Sequence, residues 1–341
     1  MKSTHSQHSS LTPLRALSCV FVTLGVALAA SSLPSYFPAL PVPSDNPQTP
    51  AKIALGRQLF YDARLSADNT ISCSSCHQQR FAFSNAGNKV SIGIRGQRGS
   101  RNAPGLGNVA WRKSFFWEGG SPSLELQAMG PITAHDEMGM EPSVLVRKLS
   151  SIAGYAGQFK AVFSDGVTML NVTRALAVFT RTLVTANSPF DRYRAGNLKA
   201  MTSAALRGME LFLGEKGDCF HCHGGFNFTD EALHNTGVNL ENTDIGLARL
   251  TGKKTDEGKF KTPGLRNVAL SKPYMHDGSV GTLEAVLAHY NAGGKDNDNV
   301  DALMRPLELS QTEIKDLIAF LNALTDTEFT KNPQLSAPRL P

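Results

Sequence analysis

Two five-residue stretches, Cys73-Ser-Ser-Cys76-His77 and Cys219-Phe-His-Cys222-His223, decide how this chain folds. Each has the spacing C-x-x-C-H, the attachment motif of a c-type haem. In that chemistry two thiols add to the vinyl groups of one porphyrin, and the adjacent histidine ligates the iron. The chain has 341 residues and five cysteines, so the two motifs use every cysteine except Cys19. A zinc site and a redox dithiol are the competing readings. Zinc pairs such motifs within one small module, whereas these stand 146 residues apart. The spacing therefore points to two covalent haems, one on Cys73, Cys76 and His77, the other on Cys219, Cys222 and His223.

Outward from the motifs, composition sets the class. The chain is 41% apolar and 18% charged, which excludes collagen-like, disordered and disulfide-dense chains. The formal charge of +5 is too mild to argue for nucleic acid, and no basic run is present. Residues 1–15 are polar with two basic groups and no acid, 16–30 are nearly all apolar, and Ala27-Leu28-Ala29 gives a small-x-small cleavage pattern. This is the layout of a secretory signal peptide over 1–30. An uncleaved anchor would be short for a membrane span, and Cys19 stands at the wrong end of the apolar stretch for a lipoprotein. Loss of Lys2 and Arg15 leaves a mature chain near +3 that is expected in the periplasm. Residues 31–50 are a Pro-rich leader.

The sequence is also doubled. Ala54-Leu55-Gly56-Arg57-Gln58-Leu59-Phe60 precedes the first motif, and Ala205-Leu206-Arg207-Gly208-Met209-Glu210-Leu211-Phe212 precedes the second, both with amphipathic-helix spacing. Downstream, Ala103-Pro104-Gly105-Leu106-Gly107-Asn108-Val109-Ala110 matches Thr262-Pro263-Gly264-Leu265-Arg266-Asn267-Val268-Ala269 at an offset of 159. Further helices are expected at about 143–152, 167–186, 201–213, 281–291 and 311–324, with few strands. The expected fold is all-α and loop-rich, with two cytochrome c-like domains related by internal duplication. Residues 51–198 form the first domain, 199–330 the second, and 331–341 a tail. At the offset of 159, Tyr290 corresponds to Pro131. Tyrosine can ligate ferric iron and proline cannot, so one haem would be closed and the other open.

The doubled unit and the segment Phe116-Trp117-Glu118-Gly119 … Leu124-Glu125-Leu126-Gln127-Ala128-Met129-Gly130-Pro131 … Glu137-Met138 resemble the bacterial di-haem cytochrome c peroxidases and their MauG-type relatives. So do Leu265-Arg266-Asn267-Val268-Ala269 and Pro273-Tyr274-Met275-His276-Asp277-Gly278. The resemblance spans about residues 50–325. It implies that His77 is the proximal ligand of an N-terminal peroxidatic haem and His223 that of a C-terminal electron-transfer haem. Gln127 and Glu137 would form the distal polar pair, with Glu137 as general acid–base group and Pro131 close by. Trp117 would relay electrons between the haems. Asn102, with the backbone carbonyls of Ser271 and Pro273, would form an interdomain calcium site, which oxygen ligation suits.

Three departures from the peroxidase pattern stand out. Ser91-Ile92-Gly93-Ile94-Arg95-Gly96 has Ile94 where typical members carry a blocking histidine, so the first haem should be five-coordinate at rest. His289-Tyr290-Asn291-Ala292-Gly293-Gly294 resembles the MauG-type segment with a ligating tyrosine on the second haem, where peroxidases use methionine; Met275 is the alternative ligand, and Met304 a weaker one. Gly120 replaces a family arginine. His276 is expected near a haem edge, and His135, His221, His234 and His289 in structural or exposed places.

Three functions compete. The leading one is a periplasmic di-haem peroxidase that reduces hydrogen peroxide with electrons from a small donor protein, a cytochrome c or cupredoxin. The second is a MauG-like enzyme that oxidises side chains of a partner protein to build a quinone cofactor. The third is a non-catalytic electron carrier, for which a distal acid has no use. A homodimer is left open.

Overall fold

Two helix pairs, each crossing at a glycine, organise the molecule. Its structure, a computed structural model, describes Met1 and residues 33–341 apart from residue 86. Apart from Met1, the expected signal segment and Cys19 lie outside the described residues. The N-terminal half runs through α1 (Pro50–Tyr61), α2 (Cys73–Cys76), α3 (Leu124–Thr133), α4 (Pro142–Ser151), α5 (Ala153–Val162), α6 (Met169–Arg181) and α7 (Pro189–Arg194). The C-terminal half holds α8 (Ser203–Leu213), α9 (Ala248–Thr251), α10 (Leu283–Asn291) and α11 (Gln311–Ala323). Among the described residues the strands are two short antiparallel ones, β1 (Leu233–His234) and β2 (Phe260–Lys261), with Leu233 opposite Lys261. The chain is thus helix-rich with little sheet. No helix among the described residues is long and apolar enough to cross a membrane.

Helix α1 packs on α6 and α8 on α11. A Cβ on Gly56 would stand 1.9 Å from the Ala175 carbonyl oxygen, and one on Gly208 would stand 1.9 Å from that of Asp316. Only glycine allows backbones to approach so closely. Around the first pair, Leu55, Leu59 and Phe60 of α1 bury with Tyr155 and Phe159 of α5 and Val172 and Phe179 of α6. Around the second, Phe190, Phe212, Phe228 and Phe320 pack edge-on or tilted with ring centroids 5.1–6.0 Å apart. Burial of each such side chain contributes about 1.5–3 kcal/mol.

The offset of 159 holds in the backbone as well as in the sequence. Asn108 and Asn267 are both left-handed (φ 57° and 62°), as are Phe116 and Met275 (φ 64° and 69°). A bridge joins Phe115 to Ser121 and another joins Tyr274 to Val280. Ser123 caps α3 and Thr282 caps α10 in the same way.

Three differences from the expected helices have physical causes. Helix α6 ends at Arg181, five residues early, because the following backbone is engaged elsewhere: the Leu183 carbonyl accepts from Asn108 N–H (2.8 Å) and Thr185 N–H donates to Asn108 Oδ1 (2.8 Å). Helix α3 forms despite Gly130-Pro131, held by its Ser123 cap. The Ile152 backbone, in the extended region, separates α4 from an unexpected α5. The leader touches both halves. Phe37 packs on Phe226 (4.7 Å between centroids), while Asn46 donates to Glu125 (2.7 Å). The tail returns to α1, where Arg57 donates to the Ser336 and Pro333 carbonyls and Tyr61 to that of Leu335.

Gly208→Ala should destabilise the protein by about 1–3 kcal/mol through overpacking against α11. Denaturant unfolding of the holoprotein measures this; an unchanged midpoint would contradict the crossing described here.

Candidate functional site

The site is built from two haem-sized cavities and the wall between them. In the first motif, Cys73–Cys76 make one helical turn capped by Ser72, and His77 N–H donates to the Cys73 carbonyl (2.9 Å). That turn puts residues i, i+3 and i+4 on one side. In the second motif His223 N–H closes the same turn on Cys219 (2.8 Å). His77 Nδ1 donates to the Phe83 carbonyl and His223 Nδ1 to that of Phe228, each at 3.0 Å. Such a bond fixes the tautomer and leaves Nε2 as the nitrogen that could ligate a metal. Burial pushes the His77 imidazole down to about 4 and that of His223 in the same direction, so both are neutral, as a metal ligand must be.

Cys73, Cys76 and His77 line a first cavity of about 1640 Å³, and Cys219, Cys222 and His223 a second of about 1660 Å³. All four thiols are free. Burial pushes Cys73 and Cys219 up to about 12, whereas a redox dithiol needs a lowered pKa. The zinc reading also fails among the described residues: one candidate ligand cluster gathers, Cys222, Asp230 and His234, and it takes only one thiol. His234 is spoken for, since Nδ1 bonds Asp301 at 2.6 Å and Nε2 bonds Asp230 at 2.9 Å. Two ring N–H donors exist only in the imidazolium. The paired thiols and the neutral histidine that line each cavity fit one covalent haem c per cavity.

The first cavity also receives Gln127 and Pro131 from α3, and Glu137 from the turn after it. Gln127 and Pro131 are four residues apart and share a helix face. Glu137 is held by its backbone, whose carbonyl accepts from Ile94 N–H (2.8 Å). Gly93 must be glycine here, since a Cβ would meet the Asp136 carbonyl oxygen at 2.1 Å. Burial, and then the Asp136 charge, raise the Glu137 carboxyl above its ordinary range. Ile94 packs against Gly139 and leaves Ser91, Ile92 and Gly93 to line the cavity. Besides His77, no histidine, tyrosine or lysine among the described residues lines it; the Met138 thioether does, from within the apolar core.

Tyr290 of α10, Met275 and Met304 all line the second cavity. Burial raises the Tyr290 phenol to about 12, and a bound cation would reverse that direction. His289 is tied to the Thr236 carbonyl (2.9 Å), and His135 and His221 are exposed. His276 is buried, stacked 3.7 Å from the Phe260 ring centroid, and lines the second cavity. Trp117 lines both cavities, and its indole N–H donates to the Asn102 carbonyl (2.7 Å). Asn102, Ser271 and Pro273 meet around a smaller cavity of about 720 Å³ that Trp117 also lines. The Asn102 amide nitrogen faces the Asn88 and Lys89 carbonyls (3.3 Å each), which leaves its oxygen available.

These surroundings have counterparts among known proteins. The family model for di-haem cytochrome c peroxidase matches residues 50–199. Over 307 residues the chain is 39% identical to the methylamine utilization protein MauG of Methylorubrum extorquens, covering 89% of this chain and 85% of that one. This chain belongs to the di-haem cytochrome c peroxidase family. It is also 35% identical over 352 residues to the cytochrome-c peroxidase IdrP1 of a Pseudomonas species, with 92% of each chain covered. A crystal structure of a MauG-like protein associated with microbial copper homeostasis superposes with a TM-score of 0.86 at 36% identity, covering 90% of this chain and 99% of that one. The chain is therefore a haem-dependent oxidoreductase of the peroxidase class, and its family carries covalent haem c.

Residues that sequence reasoning passed over also reach the cavities. His234, expected to be structural or exposed, lines the second cavity. Arg112 lines the first with one hydrogen bond, to the Gly105 carbonyl (3.1 Å). A Cβ on Gly120 would stand 3.5 Å from Leu250, and neighbouring Arg249, from the other half, lines the first cavity. None has a local signal, since each arrives through long-range contact.

Replacing both Cys219 and Cys222 by Ser should reduce the covalently held haem from two per chain to one. Haemochrome absorbance after acid–acetone extraction reads the number directly, and two retained haems would contradict the assignment.

Proposed function

We propose that this chain is an exported, periplasmic di-haem peroxidase that reduces hydrogen peroxide to water with electrons from a small donor protein, a cytochrome c or cupredoxin. One observation carries the reading: Gln127 and Glu137 converge on the cavity that holds Cys73, Cys76 and His77, while Trp117 reaches from that cavity to the second. Residues 51–198 and 199–330 are the two haem units in this reading, related by internal duplication. Bound haems would supply irons able to exchange single electrons and to take peroxide as oxidant.

The protein's own groups do the rest. Glu137 accepts a proton from peroxide and returns it to the departing oxygen, a role that its raised pKa suits. Gln127 orients the oxygens from the adjacent helix turn. Trp117 connects the two cavities for single electrons. His77 and His223 would hold the irons, and Tyr290, with Met275 as the alternative, would supply a second ligand in the second cavity. Asn102 with the Ser271 and Pro273 carbonyls holds Ca²⁺ at the wall between the cavities. The balance is H₂O₂ + 2 reduced donor + 2 H⁺ → 2 H₂O + 2 oxidised donor.

A second reading, oxidation of side chains on a partner protein as in MauG, is favoured by Tyr290 at the second cavity and by the similarity to MauG. Stopped-flow oxidation of a reduced cytochrome, run beside a candidate amine dehydrogenase precursor, separates the two.

Glu137→Gln should lower peroxide turnover by about 10²–10⁴-fold. Because the acting form is ionised and the carboxyl is raised, wild-type kcat/KM should fall as pH drops through a value above the ordinary glutamate range; a limb at or below that range would contradict this. Ferric EPR should show one high-spin and one low-spin haem, and Tyr290→Phe should change only the low-spin signal. Two low-spin haems in the wild type would exclude an open first iron, and an unchanged Tyr290→Phe spectrum would return the ligand to Met275.

A further inference from the structure

Lys261 is buried in the wall between the cavities, and neither the motifs nor the roles above use it. We propose that Lys261 is the positioning residue for Trp117, holding from the C-terminal half the loop on which Trp117 stands. This deepens the reading of Trp117 as the electron path between the haems and rests on it.

The geometry is a two-point grip. The Lys261 backbone N–H donates to the Trp117 carbonyl at 2.7 Å, and its ammonium donates to the Ser114 carbonyl, three residues earlier. Between these points the Phe115 ring lies with its centroid 5.7 Å from Nζ. Lys261 is itself anchored in β2, opposite Leu233. The indole is fixed separately: its N–H donates to the Asn102 carbonyl, and Asn102 N–H donates to the His276 carbonyl, both at 2.7 Å. The Trp117 loop belongs to the first half, yet its backbone is clasped by Lys261, and the residue that holds its ring is tied to His276, both in the second.

A buried lysine is costly without a partner. The Lys261 side chain is 5% exposed, and its one carboxylate neighbour, Glu231, is 3.9 Å away. Burial and the like charge of Arg112 depress its pKa to about 8, with Glu231 opposing. An apolar side chain would fill this place without that penalty, but it could not reach the Ser114 carbonyl as a donor. The ammonium is therefore explained by what it holds.

The test uses holoprotein with both haems in place. Inter-haem electron transfer is followed by stopped-flow absorbance in wild type, Lys261→Met, Lys261→Arg and Trp117→Phe, with the ferric spectrum of each recorded as a control. Lys261→Met should slow the transfer by roughly ten- to hundredfold, the scale of a small misplacement. Lys261→Arg should restore it, and neither should move the ferric spectrum. A wild-type rate in Lys261→Met beside a slowed Trp117→Phe overturns the proposal, as does an Arg variant no faster than the Met variant. A wild-type rate in Trp117→Phe instead removes the relay reading, and the proposal with it. Should Lys261→Met fail to assemble, Lys261→Leu, which also removes the donor to Ser114, is judged by the same rates.

Discussion

The hydrogen bond from each motif histidine to a phenylalanine carbonyl is the contact on which the rest depends. Phe83 and Phe228 both take the left-handed conformation (φ 59° and 55°), a costly choice for a residue with a Cβ. Each ring meanwhile lies in an aromatic core, Phe83 against Phe60 and Phe329, Phe228 against Phe190, Phe212 and Phe320. Core packing therefore fixes the carbonyl, the carbonyl fixes the imidazole, and Nε2 is left facing the cavity. The helices need not touch the metal site to orient it. They hold the phenylalanine, and the phenylalanine holds the ligand.

The same economy explains why the halves do not stand as independent units. Asn108 and Asn267, equivalent by the offset of 159, meet through one buried network. Asn108 Nδ2 donates to the Thr185 carbonyl (3.0 Å), Asn267 Nδ2 to Thr185 Oγ1 (3.0 Å), and Asp326 Oδ2 accepts from Thr185, Ala186 and Asn187. Buried polar groups left without these partners would each cost about 1–3 kcal/mol. Removing one half would strand the other half's donors. A rigid wall results, and a residue such as Trp117 can serve both cavities only if that wall does not move.

Much of this is legible in the sequence because it is periodic or local. The C-x-x-C-H spacing and the helices over 311–323 and 203–213 are patterns of neighbours, and the doubling repeats the motif, the helix before it and the segment after it in the same order. Helix α3 was hidden by Gly130-Pro131, whose local cost is outweighed by the Ser123 cap and by burial of Leu124 and Ile132. Lys261, His234 and Arg112 were hidden for another reason. A lysine on a two-residue strand or a histidine near an aspartate has no distinctive spacing, and only the folded chain shows what it faces. Position 94 shows the limit from the other side: its residue type excludes ligation, but only the structure shows that Ser91, Ile92 and Gly93 take its place in the cavity lining.

What finally distinguishes the two cavities is the state of their acids. In the second, Asp244 is engaged by Arg101 and Asp301 by the His234 imidazolium, and each also accepts a backbone N–H, from Gly246 and Leu303. Their carboxyls are held below the ordinary range despite burial, and neither has a proton to exchange near neutrality. In the first, Glu137 makes no side-chain hydrogen bond to another described residue, and burial raises it. An acid that is unpaired and raised can take up and release a proton; acids that are paired and lowered cannot. Two cavities built on the same motif and the same backbone turn thus differ in how their acids are partnered. On the peroxidase reading proposed above, chemistry that consumes protons with electrons belongs in the first cavity.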